Sequence, residues 1–344
     1  MIIVCEKCQS RFKLDESRIK TERFKARCSS CHHVFTATKP VPAQAIPMAD
    51  APSPTKKRPP AKVISISNQK GGVAKTTTCL NLGISLALLG KRVLLIDFDV
   101  QSNLTISLGY QNKLSFYDML KAAPQAAPER YLVETAYDGL CLLPSNKNMV
   151  LLNKQYFGAP HYEYILRDRL RPLLDQFDYI LIDTPPSIEF FTLNALTTSD
   201  LVIIPTQCDY LSTHGVDQIL KLIDLVRQKT NPAVTARVLI TLYDQRATAS
   251  QVIYSKLQQI YRNQTFQALI NTDDKLREAQ IMSMPVIHYD KDSRSGQQYM
   301  DLAQEVLQLA VHGGAGAALR CVPDAARTYR GLLAQRQRHV LLRW

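Results

Sequence analysis

A chain of 344 residues with 46% apolar side chains holds one large α/β domain plus appendages, with enough apolar surface for a real core. No apolar run is long enough to span a bilayer, and a candidate metal ligand already stands at residue 5 where a signal peptide would lie, so a secreted or membrane-spanning protein is not expected. The net charge of +12 suggests a nucleic-acid partner, but the excess sits outside the main body: basic and acidic side chains number 9 and 4 in residues 1–39, 4 and 1 in 40–62, 6 and 1 in 313–344, and 23 and 24 in 63–312.

The chain opens with Cys5-Glu6-Lys7-Cys8 and Cys28-Ser29-Ser30-Cys31, a C-x₂-C…C-x₂-C pattern with metal-ligand spacing. Each pair fits a tight knuckle whose backbone N–H groups stabilise thiolates, and four thiolates close a tetrahedral Zn²⁺ site. So short a segment builds little core, so the metal would supply folding energy. The competing readings are two redox dithiols or plain surface cysteines. Residues 1–38 resemble the short zinc-ribbon module at the N-terminus of various bacterial proteins, with Phe12, Val34 and Phe35 as its small core. Cys79, Cys141, Cys208 and Cys321 lack partner spacing and suit a reducing cytoplasm. Residues 39–62, rich in Pro, Ala and Lys, read as a semi-extended linker.

The most informative stretch follows. The apolar run Val63–Ser67 leads into Lys70-Gly71-Gly72-Val73-Ala74-Lys75-Thr76-Thr77. A strand ending in a glycine turn and a Lys-Thr helix start cradles phosphate with backbone N–H groups; Lys75 adds a point charge and the Thr76 hydroxyl can ligate Mg²⁺. Gln69 and Ala74 stand where G-x-x-x-x-G-K-[ST] carries glycines, and Lys70 adds a second lysine, which makes the variant K-G-G-x-x-K-[ST]. The methyl of Ala74 is acceptable there if the backbone has negative φ. Val93–Asp99 then ends in Asp97-Phe98-Asp99, and Tyr179–Asp183 ends in Asp-Thr-Pro-Pro. At the carboxyl ends of parallel strands these carboxylates arrive beside the phosphates. Asp183 would hold the Mg²⁺ shell through water. Of Asp97 and Asp99, one can hydrogen-bond near the turn while the other orients the attacking water.

Further strands are expected at Leu140–Leu143, Leu201–Pro205 and Val238–Leu242, and helices at Thr76–Leu89, Glu163–Leu174, Val216–Arg227, Ala249–Tyr261 and Gly296–Leu309. Apolar strands alternating with helices predict a mostly parallel sheet covered on both faces. Residues 313–344 form a basic tail.

With these motifs in view, residues 63–312 resemble the ParA/Soj/MinD group of deviant Walker ATPases. The ParA/Soj branch fits best, through Asn68-Gln69-Lys70-Gly71-Gly72, Asp97-Phe98-Asp99 with Gln101, Thr241-Leu242-Tyr243-Asp244-Gln245-Arg246, and the runs at 275–279 and 285–290. The resemblance implies a P-loop NTPase that binds ATP through Gly71, Gly72, Val73, Ala74, Lys75, Thr76, Thr77, Asp97 and Asp183, with Mg²⁺ on Thr76 and Asp183. It implies catalytic roles for Lys75, for Asp99, and for Lys70 reaching the partner's ATP across a nucleotide-sandwich homodimer. It implies a cytoplasmic, nucleoid-associated protein whose ATP state binds nonspecific DNA, with slow hydrolysis stimulated by a cargo or centromere-binding protein. Lys275 and Arg277 lie in the run matching the DNA-binding half. Two departures stand out: Val100 replaces a proline, and Asn271-Thr272-Asp273 replaces Pro-Arg-Asn in a loop near the adenine.

Three rival readings remain. A MinD-type membrane-surface ATPase would use the tail, where Tyr329, Leu332, Leu333, Val340, Leu341 and Trp344 approach one helical face. An electron-transfer ATPase would need cluster cysteines around Cys141 and Cys208. A zinc-ribbon adaptor would keep the ATPase as a weak switch.

Overall fold

A computed structural model describes residues 2–4, 7, 11–13, 23–29, 31–38, 59–123, 126–209 and 212–311. The chain divides into two compact units, Met1–Lys57 and Arg58–Trp344. In the first, β1 (Ile2–Val4) pairs antiparallel with β2 (Arg11–Lys13), and β3 (Arg23–Arg27) with β4 (Val34–Thr38).

The second unit is a three-layer α/β body. Its strands are β5 (Lys62–Ile66), β6 (Val93–Asp97), β7 (Val133–Glu134), β8 (Leu140–Leu143), β9 (Tyr179–Asp183), β10 (Leu201–Thr206), β11 (Thr235–Tyr243) and β12 (Thr265–Asn271). They form one sheet in the order β12-β11-β10-β5-β9-β6-β8-β7, parallel except for the β7 edge. β6 and β9 are buried along their whole length, as strands covered on both faces must be. Each fully buried Val, Leu or Ile side chain contributes about 1.5–3 kcal/mol.

One face of the sheet carries α1 (Lys75–Leu88), α2 (Asn103–Ser107), α9 (Asp274–Ile281), α10 (Val286–Tyr289) and α11 (Arg294–Val311). The other carries α3 (Phe116–Lys121), α4 (Val150–Tyr156), α5 (Ile165–Leu170), α6 (Phe190–Thr198), α7 (Ser212–Lys229) and α8 (Thr248–Tyr261). The helix expected over Glu163–Leu174 is instead α5 flanked by 3₁₀ turns at Tyr162–Tyr164 and Arg171–Leu173. Pro172 lacks an N–H and cannot continue the α ladder. β12 and α6 have no counterpart among the predicted elements. No helix among the described residues is long and apolar enough to cross a membrane.

Strand order places the site. β5 lies between β10 and β9, and the register pairs Ile66 with Asp183 and Asp97 with Asp183. The turn leaving β5 and both carboxylates therefore meet at one edge of the sheet.

Candidate nucleotide site

The turn between β5 and α1 is pinned from beneath. Asn68, fully buried, donates from Nδ2 to the Pro205 carbonyl at 2.8 Å, and its Oδ1 accepts the Lys70 N–H at 2.9 Å. Gly215, in the first turn of α7, lets that helix come close: a Cβ there would meet Asn68 Oδ1 at 3.0 Å. Gln207 Nε2 donates to the Gly72 carbonyl at 2.6 Å, and Thr241 Oγ1 to the Val73 carbonyl at 3.1 Å. Gly72 takes φ +73° with open space where a Cβ would point.

Ala74 corrects the sequence reading, which required negative φ: it sits at φ 64°, ψ 35°, left-handed. Thr241 on the Val73 carbonyl and the first helical bond, Thr78 N–H to the Ala74 carbonyl at 2.9 Å, hold the turn from both sides. That leaves the strained conformation over-determined, at a cost of about 1–2 kcal/mol for a non-glycine residue. No side chain caps the N-terminus of α1, so its first-turn N–H groups face the open turn.

The charged groups converge here. Lys75 is buried and donates from Nζ to the Lys70 carbonyl at 3.0 Å. Burial lowers its pKa, against the pull of Asp183 and Asp99. Thr76 Oγ1 donates to Asp183 Oδ2 at 2.7 Å, while the buried Asp183 Oδ1 has no hydrogen-bond partner. Burial pushes the Asp183 carboxyl well above the usual carboxylate range, and the neighbouring Asp97 adds to the shift. A hydroxyl beside an orphaned, desolvated carboxylate is a donor set suited to a hard cation, so these two residues fit Mg²⁺.

The two aspartates of the Asp-Phe-Asp run differ. Asp97 is fully buried; its Oδ2 accepts the Thr105 N–H at 2.7 Å and the Thr105 hydroxyl at 2.6 Å, and its Oδ1 accepts the Asp99 N–H at 3.3 Å. Its bonds run to α2 rather than to the phosphate turn, and burial raises it to about 6. Asp99 Oδ1 accepts the Gln101 N–H at 2.9 Å, and Ser145 Oγ donates to the Asp99 carbonyl at 2.7 Å. Asp97 therefore braces the backbone that presents Asp99, the carboxylate better placed to meet a water. Val100, in the departure from proline, lies beside Asp99 in a cavity of about 310 Å³ lined also by Val150, Asn153, Pro185 and Phe191.

Lys70 pairs with Asp209, three residues beyond the end of β10. In α9, Lys275 Nζ bonds Glu278 Oε2 at 2.9 Å and lies 5.7 Å from the centre of the Tyr289 ring; Arg277 pairs with Asp274 at 3.5 Å on an open surface. Gln280 Nε2 of the same helix donates to Thr77 Oγ1 at 2.9 Å, a direct bond from α9 to the phosphate turn. The loop at 271–273 is occupied internally. Asn271 Nδ2 donates to the Tyr243 carbonyl at 3.2 Å, Asp273 Oδ2 accepts the Ser295 hydroxyl at 2.8 Å, and Arg294 donates to the Thr272 carbonyl at 2.7 Å.

In the N-terminal unit, Cys5 and Cys8 lie outside the described residues. The second pair forms a knuckle: the Cys31 N–H donates to Cys28 Sγ at 3.3 Å, the His32 N–H to the Cys28 carbonyl at 3.0 Å, and His32 turns at φ 59°. An N–H aimed at sulfur stabilises a thiolate, which suits Zn²⁺. The basic tail also lies outside the described residues.

Thr105, Ser145, Gln207 and Asp209 were not among the residues expected from sequence, and Thr241 stood in a quoted run without a role at the site. Asp209 had a signal: it follows β10 by the same strand-end rule that selects Asp97 and Asp183. Thr105, Ser145 and Gln207 act through backbone carbonyls or a buried carboxylate and carry no motif.

Comparison with known proteins agrees with this geometry. A family model for an AAA domain matches residues 61–236, and one for a zinc-ribbon domain matches residues 1–36. The chain is 35% identical over 249 residues to the chromosome partitioning protein ParA of Myxococcus xanthus, covering 72% of this chain and 88% of that one. It is 36% identical over 249 residues to the sporulation initiation inhibitor protein Soj of Bacillus subtilis, covering 71% and 98%. A Mycobacterium smegmatis structure described as cobyrinic acid a,c-diamide synthase with bound ADP and magnesium superposes with a TM-score of 0.64 at 32% identity, over 75% of this chain and 99% of that one. The Pyrococcus furiosus cell division ATPase MinD shares the fold, with a TM-score of 0.58 at 23% identity over 72% and 99%. Turn, strand-end carboxylates and relatives converge: the chain belongs to the ParA/Soj family of P-loop ATPases and carries a zinc-ribbon domain at its N-terminus.

Proposed function

We propose that the protein is an ATP-driven dimerisation switch whose ATP state binds DNA without regard to sequence and whose hydrolysis of ATP releases it, so as to segregate DNA or position a cellular cargo. The observation that carries this reading is the orphaned Asp183 Oδ1 beside the Thr76 hydroxyl and buried Lys75, at the mouth of an uncapped helix. Residues 71–77 hold the phosphates, and Thr76 and Asp183 hold Mg²⁺. A bound Mg²⁺ supplies neutralisation of phosphate charge. Asp99 orients the water that attacks the γ-phosphorus and takes up its proton as ADP departs. Asp97 fixes the backbone under Asp99.

Lys70 reaches the nucleotide of the second copy after leaving Asp209, so the pair holds the lysine in reserve within a single chain. Lys275 and Arg277 contact DNA phosphates in the dimer, and Gln280 ties their helix to Thr77. A cargo or centromere-binding protein speeds a slow turnover. Cys5, Cys8, Cys28 and Cys31 hold a structural Zn²⁺. The protein works in the cytoplasm on the nucleoid.

The test is co-sedimentation of the full chain with nonspecific duplex DNA and, separately, with anionic liposomes, with ATP, ADP or no nucleotide. ATP-dependent, salt-sensitive DNA binding that disappears in Lys75→Ala supports the switch. ATP-dependent binding to liposomes alone replaces it with the membrane-surface reading.

A further inference from the structure

The β3–β4 hairpin has two unlike faces. Its register pairs Arg27 with Val34, Lys25 with Thr36, Ala26 with Phe35 and Phe24 with Ala37. Partners in an antiparallel pair share a face, and successive residues alternate. Phe24, Ala26 and Phe35 therefore lie on one side, where Phe35 is buried, while Lys25, Arg27, Val34 and Thr36 are all exposed on the other.

This face is unusually one-signed. Residues 23–49 contain no Asp or Glu, and neither Lys25 nor Arg27 has an acidic partner among the described residues. Basic side chains on a solvated surface are ordinary; a strand row of them, about 6.8 Å apart, with hydroxyl and β-branched neighbours and no acidic partner among the described residues, is not.

We infer that the exposed face of the β3–β4 hairpin is a contact for the phosphodiester backbone of duplex DNA, independent of bound nucleotide. It uses residues of the N-terminal unit alone, and neither the nucleotide-site residues nor Lys275 and Arg277. Three features favour a duplex backbone over other polyanions. Both phenylalanines face the other way, so the row lacks the aromatic platform on which single-stranded bases stack. Val34 is the large exposed apolar residue of this unit among the described residues, too little to anchor in a bilayer. The face lacks the apolar centre of a protein–protein interface, while a two-stranded ribbon is narrow enough for the major groove.

The test uses the full chain and nonspecific duplex DNA, titrated without nucleotide and with ATP at salt from about 50 to 200 mM. In Lys25→Glu/Arg27→Glu, nucleotide-free affinity should fall about 10- to 100-fold and the log–log salt slope should shrink by about 2, at ~0.9 per phosphate contact. Thr36→Glu, which sets a negative charge opposite Lys25, should weaken binding in the same way. The ATP-induced gain should survive in both and vanish in Lys75→Ala, which separates this inference from the switch. Where the double variant loses zinc, Thr36→Glu and Lys25→Gln/Arg27→Gln decide by the same criteria. Unchanged nucleotide-free affinity and slope in these variants overturn the inference.

Discussion

The phosphate turn and the α9–α11 segment both meet the first two turns of α1, and they do so by opposite means. The turn is contiguous in sequence and gathers charge: Lys70 from the loop, Lys75 from the start of α1, Asp97 and Asp183 from strand ends, and Asp99 from two residues past β6. The α9–α11 segment begins some two hundred residues later and meets α1 through neutral groups. Gln280 bonds Thr77 at 2.9 Å, the Val286 N–H donates to Asn81 Oδ1 at 2.9 Å, and the Thr78 and Tyr299 hydroxyls lie 3.3 Å apart. The contrast separates two tasks: under the proposed function the charged side performs the chemistry, while the neutral bonds fix where α9 and α11 stand relative to α1. Substitutions on the first should change rates and nucleotide affinity; those on the second should change stability and leave the chemistry alone.

The sharpest break in that contrast is expected at Asp99. Asp99→Ala should lower ATP hydrolysis by about 10²–10⁴-fold, the usual reach of a general base, with ATP affinity kept within about threefold. Single-turnover phosphate release beside an ATP titration checks both, and an equal loss in both would place Asp99 in binding instead. Lys75→Ala should act on binding itself, weakening ATP by about 10- to 100-fold, the worth of a buried charge-assisted bond of about 1.5–3 kcal/mol. Isothermal titration reads this directly.

The charged side should also set the pH response. Burial raises Asp97 to about 6, from a usual value near 4, so between those values the folded state holds the proton more tightly than the unfolded chain does. Stability of the nucleotide-free protein should therefore fall as pH rises from 4 to 6, by about 3 kcal/mol for this group alone. Asp183, raised in the same direction, adds to the fall. Urea denaturation across that range should show a flatter profile in Asp97→Asn, and an identical slope would remove Asp97 as the cause.

Smaller effects sharpen the neutral side. Tyr299→Phe should cost about 0.5–1.5 kcal/mol of stability, with ATP affinity and hydrolysis unchanged. A change in hydrolysis would show that the segment takes part in the chemistry. Ala74→Gly should stabilise by about 0.5–1 kcal/mol, because glycine takes the left-handed conformation without penalty but loses more freedom on folding. A loss of stability in a melting experiment would mean that the methyl packs usefully.

The same contrast explains what the sequence could reveal. Strands β5, β6, β8, β9, β10 and β11 were legible because strands buried on both faces read as unbroken apolar runs. β12 was not: it is the sheet's edge, paired on one side with an irregular register, and Thr265 and Gln267 break its apolar run. α9 escaped because only Leu276 and Ala279 of its eight residues are buried. In the site, the turn and its carboxylates were legible from spacing and strand ends. The bonds of Gln280, Asn81 and Tyr299 link residues far apart in sequence, and no spacing rule reaches them. The left-handed Ala74 was misjudged for a related reason, since the restraint on it comes from Thr241 in β11.

The central claim is that ATP assembles two copies through Lys70. Sedimentation of the hydrolysis-arrested Asp99→Ala chain with Mg²⁺ and ATP tests it most directly, with ADP and the added substitution Lys70→Ala for comparison. The account predicts a doubling of mass with ATP, its absence with ADP, and its loss on Lys70→Ala. A single-copy mass with ATP, or a dimer that ignores both nucleotide and Lys70, would contradict it.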